Sequence, residues 1–217
     1  MKLLFAHGWA LDRTLWTGVL EALGPLAAGA VVLDAGYYGR PHRPPVLEPE
    51  RRWLGIGQSL GSLELLAAPP VPLTGVVAID GFARYSQAPD FREGVPPRVL
   101  QRMAEWLEED GVLPVDFVMR AGGTAPPGER DIPRMVQGLR RLETLDGRGS
   151  ALPIFSLHAD GDPIATLAMA EASFQGMDVR ERRVRQADDH LSPIHAPEAC
   201  AALIRSAIEA LAIRSPA

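Results

Sequence analysis

Trp53-Leu54-Gly55-Ile56-Gly57-Gln58-Ser59-Leu60-Gly61-Ser62-Leu63-Glu64-Leu65-Leu66 is the stretch on which the fold turns. Its first four residues form a short apolar run of strand character, and Ser62–Leu66 reads as the opening of a helix. Between them Gly57-Gln58-Ser59-Leu60-Gly61 fits G-x-S-x-G, the tight strand-to-helix turn that pushes a serine hydroxyl out at the edge of a sheet. The flanking glycines belong there because the turn brings backbone segments so close that a Cβ would collide. Five residues alone are a weak signal; a carboxylate and a histidine placed farther along the chain, in the matching order, give them weight.

Outward from this turn, short apolar runs alternate with helical patterns, the signature of a parallel sheet with crossover helices. Strands are expected near Lys2–Ala6, Ala30–Leu33, Trp53–Gly57, Thr74–Ile79, Pro153–His158 and Val179–Val184, and helices at Thr14–Leu23, Ser59–Ala68, Thr166–Phe174 and Pro197–Ala212. Between Gly81 and Ser150 the rhythm changes to two amphipathic helices, Arg98–Glu109 and Pro133–Leu145, joined by the Gly/Pro-rich link 121–128. So long a helical segment between two strands exceeds one crossover. It reads as a lid over residues 85–148, inserted into a core made of 1–84 and 149–217, and carried above the strand ends where open α/β sheets hold ligands. Pro41–Pro49 reads as irregular loop.

At 217 residues one domain with a sizeable core is expected. A net charge of −5 gives no field favouring nucleic acid or an anionic membrane, and Cys200, the only cysteine, excludes an internal disulfide. No apolar run reaches the length of a membrane span, so a monomeric, cytoplasmic protein is expected. No P-loop, dinucleotide fingerprint or metal-ligand spacing appears, and neither cofactor nor metal is expected.

Acyl transfer at neutral pH requires an activated nucleophile, a base, a group that orients the base, and donors for the oxyanion. Ser59 supplies the nucleophile. Of the five histidines, His190 lies in the loop between the last strand and the last helix, where the order Ser…Asp…His puts a base. His195, in or near the first turn of the final helix, reads as loop packing, His158 as a structural residue at a strand end, and His42 as solvated. Three carboxylates could orient the base: Asp162, Asp160 and Asp80. Asp162 is preferred because Asp160-Gly161 reads as the turn itself. The N–H of Leu60, at a helix N-terminus, suits an oxyanion. The loop after the first strand, His7-Gly8-Trp9, would add the N–H of Trp9, with His7 bracing the loop.

With these residues in view the chain resembles the α/β-hydrolases, and within them the carrier-protein methyl ester esterases. Leu4–Leu11 resembles that family's His-Gly-Trp-Gly-Leu opening, with Ala10 where a glycine is usual, and Leu33–Arg40 resembles its Asp-x-Pro-Gly-x-Gly-x-Ser loop. Gly81–Ser86 and Gly138–Asp146 are similar to the entry and exit of its lid, and His190 with His195-Ala196-Pro197 to its paired-histidine pattern. The resemblance implies a serine esterase with Ser59, Asp162 and His190 as triad and Trp9 and Leu60 at the oxyanion site. Trp9 and Phe117 would line the acyl pocket. It also implies an acyl-carrier protein docking on Arg130 and Arg134, whose R-x-x-x-R spacing would put both on one helix face. The substrate would be a pimeloyl chain carried as its methyl ester. A general short-chain carboxylesterase or thioesterase, and a ligand-binding protein without hydrolysis, remain the competing readings. The short span from Asp34 to the strand before Ser59 implies that the usual helix there is shortened or lost.

Overall fold

In the computed structural model, which describes residues 1–39, 46–110 and 115–213, six strands form one parallel sheet. They are β1 (Lys2–Ala6), β2 (Val31–Val32), β3 (Trp53–Gln58), β4 (Leu73–Ile79), β5 (Ile154–Ala159) and β6 (Val179–Arg185), in the order β2-β1-β3-β4-β5-β6. The four inner strands are apolar on both pleat faces, as a sheet covered on both sides requires. Leu3, Phe5, Leu54, Ile56, Val77, Ile79, Phe155 and Leu157 pack towards helices α1 (Thr17–Leu23) and α8 (Pro197–Ala212). Leu4, Trp53, Val76 and Ile154 pack on the other face, with residues of α2 (Leu60–Ala67) and with Phe174 at the end of α6 (Leu167–Ser173). The edge strand β6 carries Arg180, Glu181, Arg182, Arg183 and Arg185, charges that discourage pairing with a second sheet.

Between β4 and β5 the chain leaves the sheet for three helices, α3 (Pro97–Asp110), α4 (Val115–Arg120) and α5 (Ile132–Thr144). Their apolar faces, through Leu100, Leu107, Val118, Met135, Leu139 and Leu142, close over Trp9, Leu60 and Leu63 in a separate core beyond the strand ends. The two ends of this insertion are tied together. Gly147 N–H donates to Ala83 O at 2.7 Å, and Arg84 Nη1 meets Asp146 Oδ2 at 2.5 Å. Arg148 adds bonds to Asp146 and to Asp90 Oδ2 at 2.9 Å. Among the described residues no helix is long and apolar enough to cross a membrane.

The expected elements appear within a residue or two of their sequence bounds, with instructive differences. The helix expected from Thr14 begins as a 3-10 turn, Arg13–Trp16, because the Asp12 carboxylate accepts from Thr14 N at 2.8 Å and caps it early. Helix α4 lies just before the Gly/Pro-rich link, in a stretch to which the sequence reading assigned no element. His195, expected in or near the first turn of the final helix, lies just before it and ends a one-turn helix of its own, α7 (Ser192–His195), since Pro197 keeps Ala196 out of helical geometry. Arg130 precedes α5, whose N-cap is Asp131, so Arg130 and Arg134 do not share a helix face. No helix joins Asp34 to Trp53 among the described residues; His42 lies outside them.

Candidate active site

Ser59 stands between β3 and α2 with φ 52° and ψ −122°, a sparsely populated geometry for a side chain other than glycine. Its neighbours enforce this. A Cβ on Gly57 would overlap the backbone of Gly61 and Ser62, and one on Gly61 the carbonyl of Ala6, each inside 3.0 Å. A Cβ on Gly8 would also strike the Gln58 side chain and Ser59 Cβ. The turn is therefore wedged between β1 and α2, and the Ser59 side chain is aimed into a cavity at the sheet edge. That cavity is bounded by Trp9, Gln58, Ser59, Tyr85, Phe117 and His190 among others.

His190 and Asp162 meet there, both buried. His190 Nδ1 is 2.6 Å from Asp162 Oδ2, while Asp162 Oδ1 accepts from Ile164 N at 2.8 Å and Ala165 N at 2.9 Å. The carboxylate is held on both oxygens, which fixes its aim and places the imidazole proton on Nδ1. His190 Nε2 is buried and has no hydrogen-bond partner among the described residues, Ser59 included. Contacts of this kind commonly tighten only when substrate is bound. Burial by itself would lower the imidazole pKa; the Asp162 charge and hydrogen bond, with Asp80 beyond, outweigh it and raise the value above the ordinary one.

The other two carboxylates have different partners. Asp160 Oδ1 accepts from Ala187 N at 3.0 Å and closes the turn beyond β5. Asp80, at φ 45°, accepts from Ser192 N and Ser192 Oγ, both at 2.8 Å. Arg185 Nε in turn donates to Ser192 Oγ at 2.8 Å and pairs with Asp189. Asp80 thus braces the histidine loop without touching the imidazole. Its carboxyl is pushed up to about 6 by burial, which the field of His190 only partly offsets.

Three further groups hold this loop, and the sequence pattern carries no sign of two of them. Gln58 Nε2 donates to His190 O at 2.8 Å; its place just before the serine is the one available hint. His190 N donates to Ala121 O at 3.0 Å, and His195 Nε2 is 2.9 Å from Gly122 O, so the end of α4 is stitched to the histidine loop. His7 sits apart from the chemistry. Its Nε2 accepts from Ala35 N at 3.0 Å and its Nδ1 lies 2.8 Å from Gly8 O, an arrangement that braces the loop carrying Trp9.

The Leu60 N–H opens α2, where first-turn N–H groups lack partners within the helix. Trp9 is anchored by Nε1 donating to Met135 O at 2.8 Å, and its ring meets Phe117 edge-on at 4.9 Å. Ala10 adopts φ 57° without being glycine, at a cost of about 1 kcal/mol. His158, expected to be structural, is buried beside Phe174 with both nitrogens unpartnered among the described residues, and burial pushes its pKa down to about 4. Arg134 is already engaged: Nε meets Asp131 Oδ2 at 3.0 Å and Nη1 reaches Ala35 O at 3.4 Å. Arg130 pairs through its backbone with Tyr38 and borders an outer groove.

No protein-family model matches the chain. The biotin biosynthesis bifunctional protein BioHC of Cellvibrio japonicus is 25% identical over 201 residues, 78% of this chain, and the chain spans 40% of that protein's length. Among solved structures, an esterase from Exiguobacterium antarcticum matches with a TM-score of 0.74 at 13% identity, covering 96% of this chain and 92% of that one. A thermophilic esterase from Thermogutta terrifontis matches with a TM-score of 0.70 at 19% identity, covering 97% and 90%. At such identities the likeness speaks for architecture, since one fold carries many chemistries. A parallel six-stranded sheet with a strained serine turn after β3 and helices inserted after β4, matched over nearly its whole length by these structures, gives the chain the α/β-hydrolase fold.

Proposed function

We propose that the protein is a serine carboxylic ester hydrolase, and that its substrate is the methyl ester of a pimeloyl-type acyl chain held on an acyl-carrier protein. The observation that carries the hydrolase reading is the His190–Asp162 pair: Nδ1 is bound at 2.6 Å, while Nε2 has no partner among the described residues and lies beside a cavity that Ser59 also lines. His190 Nε2 takes the Ser59 proton as Oγ bonds to the ester carbon. The resulting oxyanion is held by the N–H groups of Leu60 and Trp9. The imidazolium returns its proton to the departing alkoxide, which leaves as methanol. A water molecule then gives a proton to Nε2 and attacks the acyl-enzyme, releasing the acid and restoring Ser59. Asp162 keeps the imidazole in the required tautomer throughout.

The finer assignment draws on the similarity to the biotin biosynthesis protein and on the apolar, helix-covered cavity, which suits an acyl chain. The helices between β4 and β5 would act as the lid, and Arg130 as a contact for an acidic carrier. A general short-chain esterase is favoured by one observation: Arg134 is occupied by Asp131, leaving less of the arginine pair for a carrier. Covalent labelling by a fluorophosphonate, abolished in Ser59→Ala, tests the hydrolase reading; labelling that persists would end it. Turnover on carrier-bound pimeloyl methyl ester against free short-chain methyl esters tests the finer one. A preference for the free esters would replace it with the general esterase.

A further inference from the structure

The cavity at Ser59 does not end at the serine. Trp9, Tyr85, Phe117, Leu142 and Ile164 also line a second space between α3, α4 and α5, so the two adjoin across these side chains. This branch is otherwise walled by apolar side chains, Val95, Val99, Leu100, Met103 and Leu139 among them, together with Pro163. Among the described residues its one charged wall residue is Arg120, the last residue of α4. Arg120 Nη2 donates to Pro163 O at 3.0 Å, which fixes where the guanidinium stands. Among the described residues Arg120 takes part in no ion pair, although most other arginines of the insertion do: Arg102, Arg134, Arg140 and Arg141 each meet a carboxylate.

An apolar space that adjoins the pocket of a nucleophile and ends at one cation, which has no acidic partner among the described residues, has a chemical meaning. The space excludes charge along its length, and the guanidinium keeps donors free for an anion at its end. We propose that this branch is an anion subsite: the site takes an ester whose chain carries an apolar segment and, beyond it, a carboxylate or phosphate that pairs with Arg120. This rests on the hydrolase reading and narrows it. The anion could be the free carboxylate of a dicarboxylate half-ester or the phosphate of a carrier arm; both offer oxygens to the same fork.

The test separates this from catalysis by measuring binding to Ser59→Ala, which cannot turn over. Calorimetric titrations compare monomethyl suberate with methyl octanoate, whose chains match in length and differ in the terminal carboxylate. A phosphopantetheine thioester and its dephosphorylated form make a second pair. The expected result is a preference of about tenfold for the anionic member of at least one pair. In Ser59→Ala/Arg120→Gln the preference should fall to about one, and Ser59→Ala/Arg120→Lys, which keeps the charge, should restore part of it. Which pair shows the preference identifies the source of the anion. No preference in Ser59→Ala, or one that survives Arg120→Gln, overturns the subsite. Failure of a fluorophosphonate to label the native protein is a separate result and would overturn only the hydrolase reading.

Discussion

Replacing Asp162 with asparagine isolates the orienting group without altering its shape. In the native site Oδ1 accepts two backbone N–H groups, from Ile164 and Ala165, and Oδ2 faces His190 Nδ1 at 2.6 Å. The two N–H donors will hold the amide oxygen where Oδ1 stands, which turns the amide NH2 towards Nδ1. A donor then faces a donor, and the imidazole relieves the conflict by moving its proton to Nε2, the nitrogen that must accept from Ser59. Turnover should fall by about 10⁴, as expected for a wrong tautomer, or about 5 kcal/mol of barrier at 1.36 kcal/mol per tenfold. The pH dependence carries a second signature. In the native protein burial works to lower the His190 pKa, and Asp162, with help from Asp80, raises it above the ordinary value. Activity needing a neutral base therefore rises through a pKa above about 6.5, and in Asp162→Asn that limb should move to lower pH. Linkage has the matching sign. The raised folded pKa adds stability that is complete below about pH 6.5 and is lost as pH rises through the folded value. The assay is kcat/KM for a p-nitrophenyl ester from pH 5 to 9, with thermal melting to verify folding. A variant within about tenfold of the native rate, or an equal loss in Asp160→Asn, whose carboxylate serves only the Ala187 turn, would refute the assignment.

The remaining predictions concern the scaffold around that pair. Gly61→Ala should destabilise by about 3 kcal/mol or more, because its Cβ would overlap backbone atoms of Ala6 that cannot yield; a melting temperature within 2–3 °C of native, within the range of a sub-kcal/mol change, would contradict this. Asp146→Asn should cost about 1–2 kcal/mol by loosening the clamp between Arg84 and Arg148 at the ends of the insertion, measured by urea unfolding. The Arg148 guanidinium holds the Asp146 carboxyl well below the usual carboxylate range, so its contribution is present above about pH 4 and lost as pH falls through the folded value. His158→Leu should leave stability equal or higher near neutrality and flatten its decline between pH 6.5 and 4. Over that interval the native imidazole, held near 4 against an ordinary 6.5, costs up to about 3 kcal/mol. A native protein equally stable at both ends of the interval would count against it.

Much of this arrangement was legible in the chain because the decisive features are local. The run 53–66 encodes strand, turn and helix within fourteen residues, and each glycine answers a clash with a near neighbour in sequence or with the adjacent strand. The choice of Asp162 over Asp160 also rested on local chemistry, since Asp160-Gly161 does form the turn. What escaped the sequence depends on distant pairing. Asp80 and Ser192 are 112 residues apart, and nothing in either segment announces that one caps the other. Helix α4 was missed because six residues, Val115–Arg120, carry too little periodicity to be told from a loop. Arg130 and Arg134 have helical spacing, yet the cap at Asp131 starts the helix between them.

Helix α4, where the sequence reading singled out Phe117 but no helix, and the residues just after it share a place in the molecule. Phe117 and Val118 on α4 wall the cavity at Ser59, and Ala121 and Gly122 just after it bind His190 N and the His195 ring. Gly123 lies so close to Leu191 that a Cβ there would overlap its side chain. One short segment therefore shapes the space for the chain of the substrate and holds the backbone of the base. Asp80 and Gln58 grip the same loop from the sheet, through Ser192 and the His190 carbonyl. The histidine is clamped between a rigid support that the fold supplies and a second support that belongs to the insertion. On the proposed hydrolase reading, a shift of α4 would act on the histidine loop through the His190 N–Ala121 O bond, while the Gln58 and Asp80 bonds hold that loop from the sheet.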